Sequence, residues 1–446
     1  MSLSNLNLGA IRELLSPFAL SNAVELQFDK LLKYYVIGLG QGGGRICAEI
    51  SRFGYDACLV NSATVDMREH DDHVWIKKKV ILDDPDRGKI EGTAKNAALG
   101  HQLALKNLDK IKEVALDTQD ADFVWVTVSL GGGTGNGALK TMLEWLVKVK
   151  ELTGARTETG NMPIGVIASI PSRDESNPFV WQNAANGLKL LQEMINEKKI
   201  GSVLLVDNEK IAQYYTREPF YYRGKPFGML DYSNIVIATS LFECSVVPVL
   251  KSQISMDTAE LLEIFSTSGW LTLSKKRIVG QELDLEKDLH DVFFNNEILA
   301  ELDLSNTIAC GLAVITSQQR ALDPKTMDHI QPAVNKILNH PSIFHCSLAQ
   351  SGALQNETVL LGMAVVPSLP EKLIATILEK YHEEKQRKQE KEEKSRVSLS
   401  AFDQIENVYD NVQVGKRKKA ITLEDLQEFD APAKPQKKRI TLDDLQ

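Results

Sequence analysis

Two glycine-rich loops in the same local arrangement constrain the fold of this 446-residue chain more than any other feature. The first loop, GLGQGGG at residues 38–44, follows an apolar run and precedes a helical pattern. The second, SLGGGTGNG at residues 129–137, follows the apolar run DFVWVTV and again precedes a helical pattern. Glycine lets the backbone approach a phosphate closely, and a helix N-terminus supplies free N–H groups. Two such loops predict a site for a di- or triphosphate.

Short apolar runs of strand type alternate with helical patterns around these loops. Examples are ACLVNS, IGVIASIP and GSVLLVDN, and residues 93–116 are predicted as one helix. The alternation predicts an α/β fold with a parallel sheet that is covered by helices on both faces. Ligands of such sheets bind outside the carboxyl ends of the strands, where both glycine loops fall. Residues 231–252 predict a long central helix, and residues 307–317 and 358–366 predict strands of a smaller α+β unit.

The composition excludes several classes of protein. A net charge of −9 argues against a surface that is basic overall and binds nucleic acid. The five cysteines are scattered without a CxxC pair, which predicts reduced thiols and neither a disulfide framework nor a zinc site. The longest uninterrupted apolar runs are shorter than the roughly 20 residues that span a bilayer. The first residues lack the pattern of a signal peptide, so we expect no membrane partner.

The second loop resembles the GGGTGTG or GGGTGSG motif of the tubulin/FtsZ superfamily of GTPases, and the first resembles that family's first nucleotide loop. The order of motifs agrees over residues 33–265, and several features resemble the TubZ branch. The resemblance implies GTP or GDP as the ligand, together with Mg²⁺ whose protein ligands are unknown. It implies contacts with the nucleotide for Gly40, Gln41, Gly42, Gly43, Asn61, Gly92, Lys95, Asn96, Gly131, Gly132, Gly133, Thr134, Gly135, Asn136, Gly137, Arg173, Asp174, Glu175, Asp207 and Asn208.

The same resemblance implies that the next subunit of a polymer completes the nucleotide site. In this family the loop after the central helix carries the reacting carboxylates. Here that loop reads SMDTAE, which makes Asp257 and Glu260 the implied catalytic residues, and Ser255 stands where the family has asparagine. A water that attacks a γ-phosphate needs a group that orients it and accepts its proton, and carboxylates supply both. The alternative is that the two acids only stabilise a helix N-terminus.

A repeat marks the C-terminal end of the chain. KRKKAITLEDLQ and QKKRITLDDLQ share a basic cluster, Ile-Thr-Leu, an acid and Asp-Leu-Gln. We interpret the repeat as a docking motif, with solvated low-complexity sequence as the alternative. The expected segments are a helical extension (1–32), a GTP-binding domain (33–230), the central helix (231–252), a second, GTPase-activating domain (253–370), a charged helix (371–397) and a flexible tail (398–446).

The expected function is that of a GTP-hydrolysing filament protein in the cytoplasm of a bacterial host. The resemblance implies head-to-tail polymers that segregate plasmid or phage DNA through a TubR-like DNA-binding adaptor, which binds residues 411–446. One alternative is an FtsZ-like filament for cell division or phage positioning, and another is a scaffold that binds GTP without hydrolysis. A Rossmann oxidoreductase is also conceivable, but its second strand would end in an acid, and here it ends in Val60-Asn61-Ser62.

Overall fold

The computed structural model describes most of the chain between residues 28 and 400. The N-terminal extension before Phe28 and the tail beyond Ser400, with its repeat, lie outside the described residues. Within the range, residues 158, 218–220, 223–224, 227, 295–298, 319–324 and 353 are also outside the description. From Gln389 onward the chain forms a second contact unit, whose described part is the end of the last helix.

A single sheet of eleven strands, counted in the described residues, organises the fold. The strands of the chain are β1 (Tyr34–Leu39), β2 (Asp56–Asn61), β3 (Ile76–Ile81), β4 (Phe123–Ser129), β5 (Ile164–Ile170), β6 (Ser202–Asp207), β7 (Tyr221–Tyr222), β8 (Lys225–Pro226), β9 (Lys251–Ile254), β10 (Gly269–Val279), β11 (Ala309–Ser317), β12 (Ile343–Ser351) and β13 (Glu357–Val366). Their order in the sheet is β3-β2-β1-β4-β5-β6-β10-β13-β11-β12-β9, and β7 pairs with β8 separately.

Strand direction divides the sheet into two parts. From β3 to β10 every pairing is parallel, whereas β13 and β9 run antiparallel to their neighbours. The α/β fold predicted from the sequence, with its parallel sheet, is therefore confirmed. Because β10 pairs with β6, the two segments expected as separate domains share one sheet, and their division at the central helix stays a prediction.

Helices cover both faces of the sheet. In β1 the side chains of Tyr35, Ile37 and Leu39 lie in one core, and those of Tyr34 and Val36 lie in the other. All five cysteines are buried and free, as the sequence predicted. The helices are α1 (Gly40–Ser51), α2 (Thr64–Arg68), α3 (Ala97–Lys106), α4 (Leu108–Leu116), α5 (Thr134–Leu152), α6 (Pro178–Asn196), α7 (Asn208–Arg217), α8 (Met229–Ser245), α9 (Thr258–Ser266), α10 (Leu285–Phe294), α11 (Thr326–Leu338) and α12 (Glu371–Ser400), with 3-10 turns at Phe28–Lys30, Pro85–Arg87, Val247–Val249 and Leu304–Asn306.

Three helices differ in their bounds from the prediction, and the smallest difference is in α12, which was expected over residues 371–397 and spans Glu371–Ser400. The helix expected over residues 93–116 is split into α3 and α4, because Asn107 leaves the helical region of φ/ψ space and its side chain bonds to backbone carbonyls. The central helix expected over residues 231–252 is α8, which ends at Ser245. Pro248 lies in the 3-10 turn that follows, and it lacks the N–H that a continued helix requires.

The stretch Asp231–Val249, most of which is α8, is by length and composition long and apolar enough to cross a bilayer. The uninterrupted apolar runs of the sequence did not indicate this. In the structure 72% of its apolar window is buried inside the protein, and the helix packs on α1 and β10. Core helices pass the same test of length and composition, so this stretch is weak evidence for a membrane span.

Candidate nucleotide-binding site

The two glycine-rich loops lie against each other at the carboxyl edge of the sheet. β1 ends at Leu39 and α1 begins at Gly40, while β4 ends at Ser129 and α5 begins at Thr134. Gly40 has a φ of +68°, and a Cβ atom there would lie 2.9 Å from the backbone N of Gly135. A Cβ atom on Gly135 would in turn lie 2.4 Å from the carbonyl oxygen of Leu39. The contact between the loops therefore requires glycine at both positions.

Helices α1 and α5 both begin at this contact without a capping side chain among the described residues. The first N–H groups of a helix have no partner inside the helix, and the helix dipole places partial positive charge there. Two uncapped N-termini at one edge of the sheet provide donors for an anion with several oxygens. This is the chemistry that the sequence predicted for phosphate groups.

Hydroxyl groups tie both loops to their neighbours. Thr134 Oγ1 lies 2.6 Å from Ser62 Oγ and 3.3 Å from Thr93 Oγ1, and all three side chains are buried. On the other loop, Thr127 Oγ1 of β4 donates to the carbonyl oxygen of Gly43 at 2.7 Å. The loops are thus held by side-chain bonds as well as by backbone packing.

Asn183 of α6 fixes the second loop, and sequence reasoning missed it. Its Nδ2 donates to the carbonyl oxygens of Lys95, Gly131 and Gly132 at 2.8, 3.3 and 3.3 Å. The backbone carbonyl oxygen of Asn183 accepts from Asn136 Nδ2 at 2.8 Å. Asn183 is buried, and a carboxamide on the apolar face of a helix needs partners there. That position on the helix face is the signal that would have identified it.

A cavity of about 1040 Å³ opens beside the loops, which is large enough to hold a nucleotide. It lies at the carboxyl ends of neighbouring strands, since Ser129 ends β4, Pro171 follows β5 and Asn208 follows β6. Five residues predicted from the sequence line it: Lys95, Gly131, Asp174, Glu175 and Asn208. The lining residues that were not predicted are Ser129, Pro171, Ser172, Ser176, Val180, Glu209, Ala212, Gln213, Thr216 and Met229.

Two other predicted residues, Arg173 and Asp207, line a neighbouring cavity of about 420 Å³ instead. Asp207 Oδ1 accepts the backbone N–H of Glu209 at 2.9 Å at the start of α7. Burial raises the pKa of the Asp207 carboxyl above its usual range, although this hydrogen bond lowers it in part. The backbone N–H of Arg173 donates to Glu209 Oε2 at 3.1 Å, so Glu209 joins the loop after β5 to the first turn of α7.

The remaining predicted residues lie outside the lining of the large cavity. Asn61 Nδ2 donates to Asp66 Oδ2 at 2.9 Å, and Asn96 caps α3 by accepting the N–H of Leu99 at 3.0 Å. Their contacts with a nucleotide stay predictions. The other predicted residues are also absent from that lining. Gly40, Gln41, Gly42 and Gly43 begin α1, and Thr134, Gly135, Asn136 and Gly137 begin α5. Gly132 and Gly133 lie just before α5, and Gly92 lies before α3.

The predicted catalytic acids, Asp257 and Glu260, are not among the described residues that line the cavity. They form a reciprocal capping box at the start of α9. The N–H of Glu260 donates to Asp257 Oδ1 at 2.8 Å, and the N–H of Asp257 donates to Glu260 Oε2 at 2.9 Å. The capping box fits the alternative in which the acids stabilise a helix N-terminus, and their catalytic role stays a prediction.

Helices α8 and α9 both end at the amino edge of the sheet, across from the cavity. Met229, which begins α8, lines the cavity, whereas Ser245, which ends it, has its Oγ 2.9 Å from the hydroxyl of Tyr34 in β1. In the last turn of α9 the ring of Phe265 lies 6.1 Å from that of Phe123, the first residue of β4. Strands of six or seven residues span about 20 Å, so α9 is anchored well away from the cavity.

Comparison with known proteins agrees with this architecture. Residues 33–216 match the family model described as Tubulin/FtsZ family, GTPase domain. The tubulin-like protein TubZ of Bacillus cereus is 27% identical over 435 residues, which cover 89% of this chain and 92% of that protein. The cell division protein FtsZ of Aquifex aeolicus is 27% identical over 191 residues, which cover 43% of this chain and 46% of that protein.

Among solved structures, the GTPγS-form protofilament of Bacillus thuringiensis serovar israelensis TubZ superposes with a TM-score of 0.64 at 18% identity. The superposition covers 85% of this chain and 99% of the TubZ chain, so the two proteins share the fold over nearly the whole length of that TubZ. The chain therefore has the tubulin/FtsZ fold, and its residues 33–216 match the GTPase domain of the Tubulin/FtsZ family.

Proposed function

We propose that this protein assembles head to tail and hydrolyses GTP at the interfaces between its subunits. The observation that carries the proposal is the separation of the two halves of the predicted site. The cavity and the glycine loops lie at the carboxyl edge of the sheet, and α9, with Asp257 and Glu260, is anchored at the amino edge. A site divided in this way is completed when the two edges of successive subunits meet. Similarity to a TubZ whose structure is a protofilament supports self-association.

The cavity offers separate surfaces to the parts of GTP. The phosphates would meet the uncapped N-termini of α1 and α5, with Lys95 as the nearby cation. Guanine presents N–H donors and a carbonyl acceptor on one edge, and the carboxamide of Asn208 supplies both complementary groups. Ala212 and Met229 supply apolar surface for the faces of the ring.

A magnesium ion fits the charge of this cavity. The lining contains one basic side chain, Lys95, and three acidic ones, Asp174, Glu175 and Glu209, in the part of the chain that the structure describes. A triphosphate would add further negative charge, which a divalent cation offsets. The described residues hold no group of three metal-ligating side chains, and nucleotide-bound Mg²⁺ rests mainly on phosphate oxygens and water with one or two carboxylates. Asp174 and Glu175 are the carboxylates that we propose for it.

In the proposed reaction, the neighbouring subunit's acids act on a water molecule next to the γ-phosphate. Asp257 and Glu260 orient the water, and one of them accepts its proton as the water oxygen bonds to the γ-phosphorus. The bond between the γ-phosphorus and the β–γ bridging oxygen breaks, its electron pair stays on that oxygen of GDP, and the other product is inorganic phosphate. Because these acids come from another copy of the chain, hydrolysis follows assembly.

The test is GTP turnover per subunit, measured over a range of protein concentrations with ATP as the control nucleotide. Turnover that begins only above a threshold concentration, and only with GTP, supports a site completed between subunits. Turnover per subunit that is constant from the lowest concentration contradicts the proposal, because each subunit would then contain a whole site.

We further propose that the filaments act in the bacterial cytoplasm and segregate plasmid or phage DNA through a TubR-like adaptor. TubZ is 27% identical over 89% of the chain, whereas the matched FtsZ proteins reach 27% identity over 43% of it or 22% identity over 80%, which favours this function over an FtsZ-like one. The repeat in residues 411–446 alternates basic, apolar and acidic groups, as suits a protein partner better than bare DNA.

Deletion of residues 411–446 tests this assignment. We expect the truncated protein to keep the threshold for GTP turnover and to lose binding to a TubR-like adaptor on DNA, measured by co-sedimentation. Adaptor binding that survives the deletion contradicts the role of the repeat and leaves the FtsZ-like alternative in place.

A further inference from the structure

A histidine lies between two carboxylates on the helix that carries the predicted catalytic acids. His345, the third residue of β12, has its Nδ1 3.1 Å from Glu260 Oε1 and its Nε2 2.8 Å from Glu263 Oε2. The histidine side chain is 18% exposed, and those of Glu260 and Glu263 are 36% and 23% exposed. The cluster is therefore partly shielded from water, and no resemblance of the sequence pointed to His345.

Both ring nitrogens of His345 lie within hydrogen-bond distance of a carboxylate oxygen. A ring N–H that donates to a carboxylate makes a charge-assisted hydrogen bond, which is shorter and stronger than a bond between neutral groups. Glu260 and Glu263 are three residues apart on one helix face, where like charges repel. The ring between them keeps the two carboxylates in place on that face.

The hydrogen bonds of Glu260 explain why its contact with His345 matters for the proposed reaction. One of its oxygens, Oε2, accepts the backbone N–H of Asp257, and the other, Oε1, faces His345. Both carboxylate oxygens are thus held, one by α9 itself and one by β12. Without His345, the side chain of Glu260 would keep a single restraint.

We propose that His345 is a positioning residue for GTP hydrolysis: it holds Glu260 in the orientation in which the acid reaches the next subunit's nucleotide. The inference rests on the proposed function of Asp257 and Glu260. His345 lies on β12, the last strand but one in the sheet order, and it is not among the described residues that line the cavity. We therefore expect GTP binding within a subunit not to depend on it.

The test compares His345→Leu, His345→Gln and His329→Gln, the last at an exposed histidine of α11. For His345→Leu we expect kcat in filaments to fall by about 10- to 100-fold, the scale of a small misplacement of a reacting group. GTP affinity of the unassembled subunit and the threshold concentration stay unchanged. His345→Gln, which keeps one donor for Glu260, restores part of kcat, and His329→Gln behaves as wild type.

Assembly and hydrolysis are measured separately, by sedimentation and phosphate release, and Asp257→Asn is assayed in parallel. If Asp257→Asn abolishes turnover and His345→Leu leaves kcat unchanged, the role of His345 is wrong and the proposed function stands. If Asp257→Asn leaves turnover unchanged, the proposed function itself fails. A His345→Leu protein that does not enter filaments even when mixed with wild type would make His345 an assembly residue, which also contradicts the inference.

Discussion

Asn183 is the side chain that joins two walls of the nucleotide cavity. In Asn183→Ala the buried carbonyl oxygen of Gly131 and the partly buried ones of Lys95 and Gly132 lose this donor, and one buried polar group without a partner costs about 1–3 kcal/mol. We expect a lower urea midpoint and weaker GTP binding. Asn186→Ala is the control, because Asn186 is exposed on the same helix. Equal GTP affinity in the two variants would mean that the loops hold their shape without this amide.

Lys150 is expected to make the free energy of unfolding depend on pH in the alkaline range. It is fully buried in α5, and its Nζ donates to the carbonyl oxygens of Thr118 and Ala121 at 2.9 and 2.8 Å. Burial lowers the pKa of its ammonium group to about 8, against about 10.4 in an unfolded chain. Between these values the unfolded chain binds the proton and the folded protein does not, so stability rises with pH across this window.

The measurement for Lys150 is the urea midpoint between pH 7 and pH 10.5. We expect the wild-type midpoint to rise relative to that of Lys150→Met, which lacks the titrating group. Lys148→Met, at an exposed position of the same helix, keeps the rise. A rise of the same size in Lys150→Met would assign the effect to other groups.

At the scale of elements, the approach of α1 to β4 positions the first glycine loop. A Cβ atom on Gly43 would lie 2.2 Å from the carbonyl oxygen of Thr127, whereas one on Gly44 would meet its nearest atom, Leu59 Cδ2, at 3.7 Å. We expect Gly43→Ala to push α1 off the sheet, with a loss of about 1–3 kcal/mol in unfolding free energy and weaker GTP binding. Gly44→Ala, the adjacent control, should unfold at the same or a higher denaturant concentration. Equal midpoints for the two variants would contradict this close contact.

The same elements show what the sequence could and could not predict. The strand–glycine–helix order around β1 and β4 was readable because apolar runs and glycines mark it locally. β3, with the sequence IKKKVI, was missed because its lysines hide the strand pattern, yet lysine is common on edge strands such as this one. Asn183 was missed because its partners lie 51 to 88 residues away, so that only the folded chain shows the bonds.

At the scale of the whole molecule, the two edges of the sheet are expected to carry separable steps. In the proposed function GTP binds at the carboxyl edge, and the acids of α9 act on the next subunit's nucleotide. A substitution that removes only an acid should therefore leave binding and assembly intact and stop hydrolysis. Asp257→Asn is suited to this test, since asparagine caps a helix about as well as aspartate but is a poor proton acceptor. Asp284→Asn is its control, because Asp284 accepts the N–H of Lys287 at the start of α10.

For Asp257→Asn we expect an unchanged threshold concentration, turnover reduced by about 100-fold or more, and filaments that persist after a limited amount of GTP is added. The physical reason is that the subunit interfaces still form with GTP bound, but each of them lacks the carboxylate that accepts the proton of the attacking water. Phosphate release and light scattering, recorded together, measure both effects. Asp284→Asn should match wild type in each. Wild-type turnover in Asp257→Asn filaments would mean that the capping box is the whole role of Asp257, and that the water is activated by groups of the cavity's own subunit.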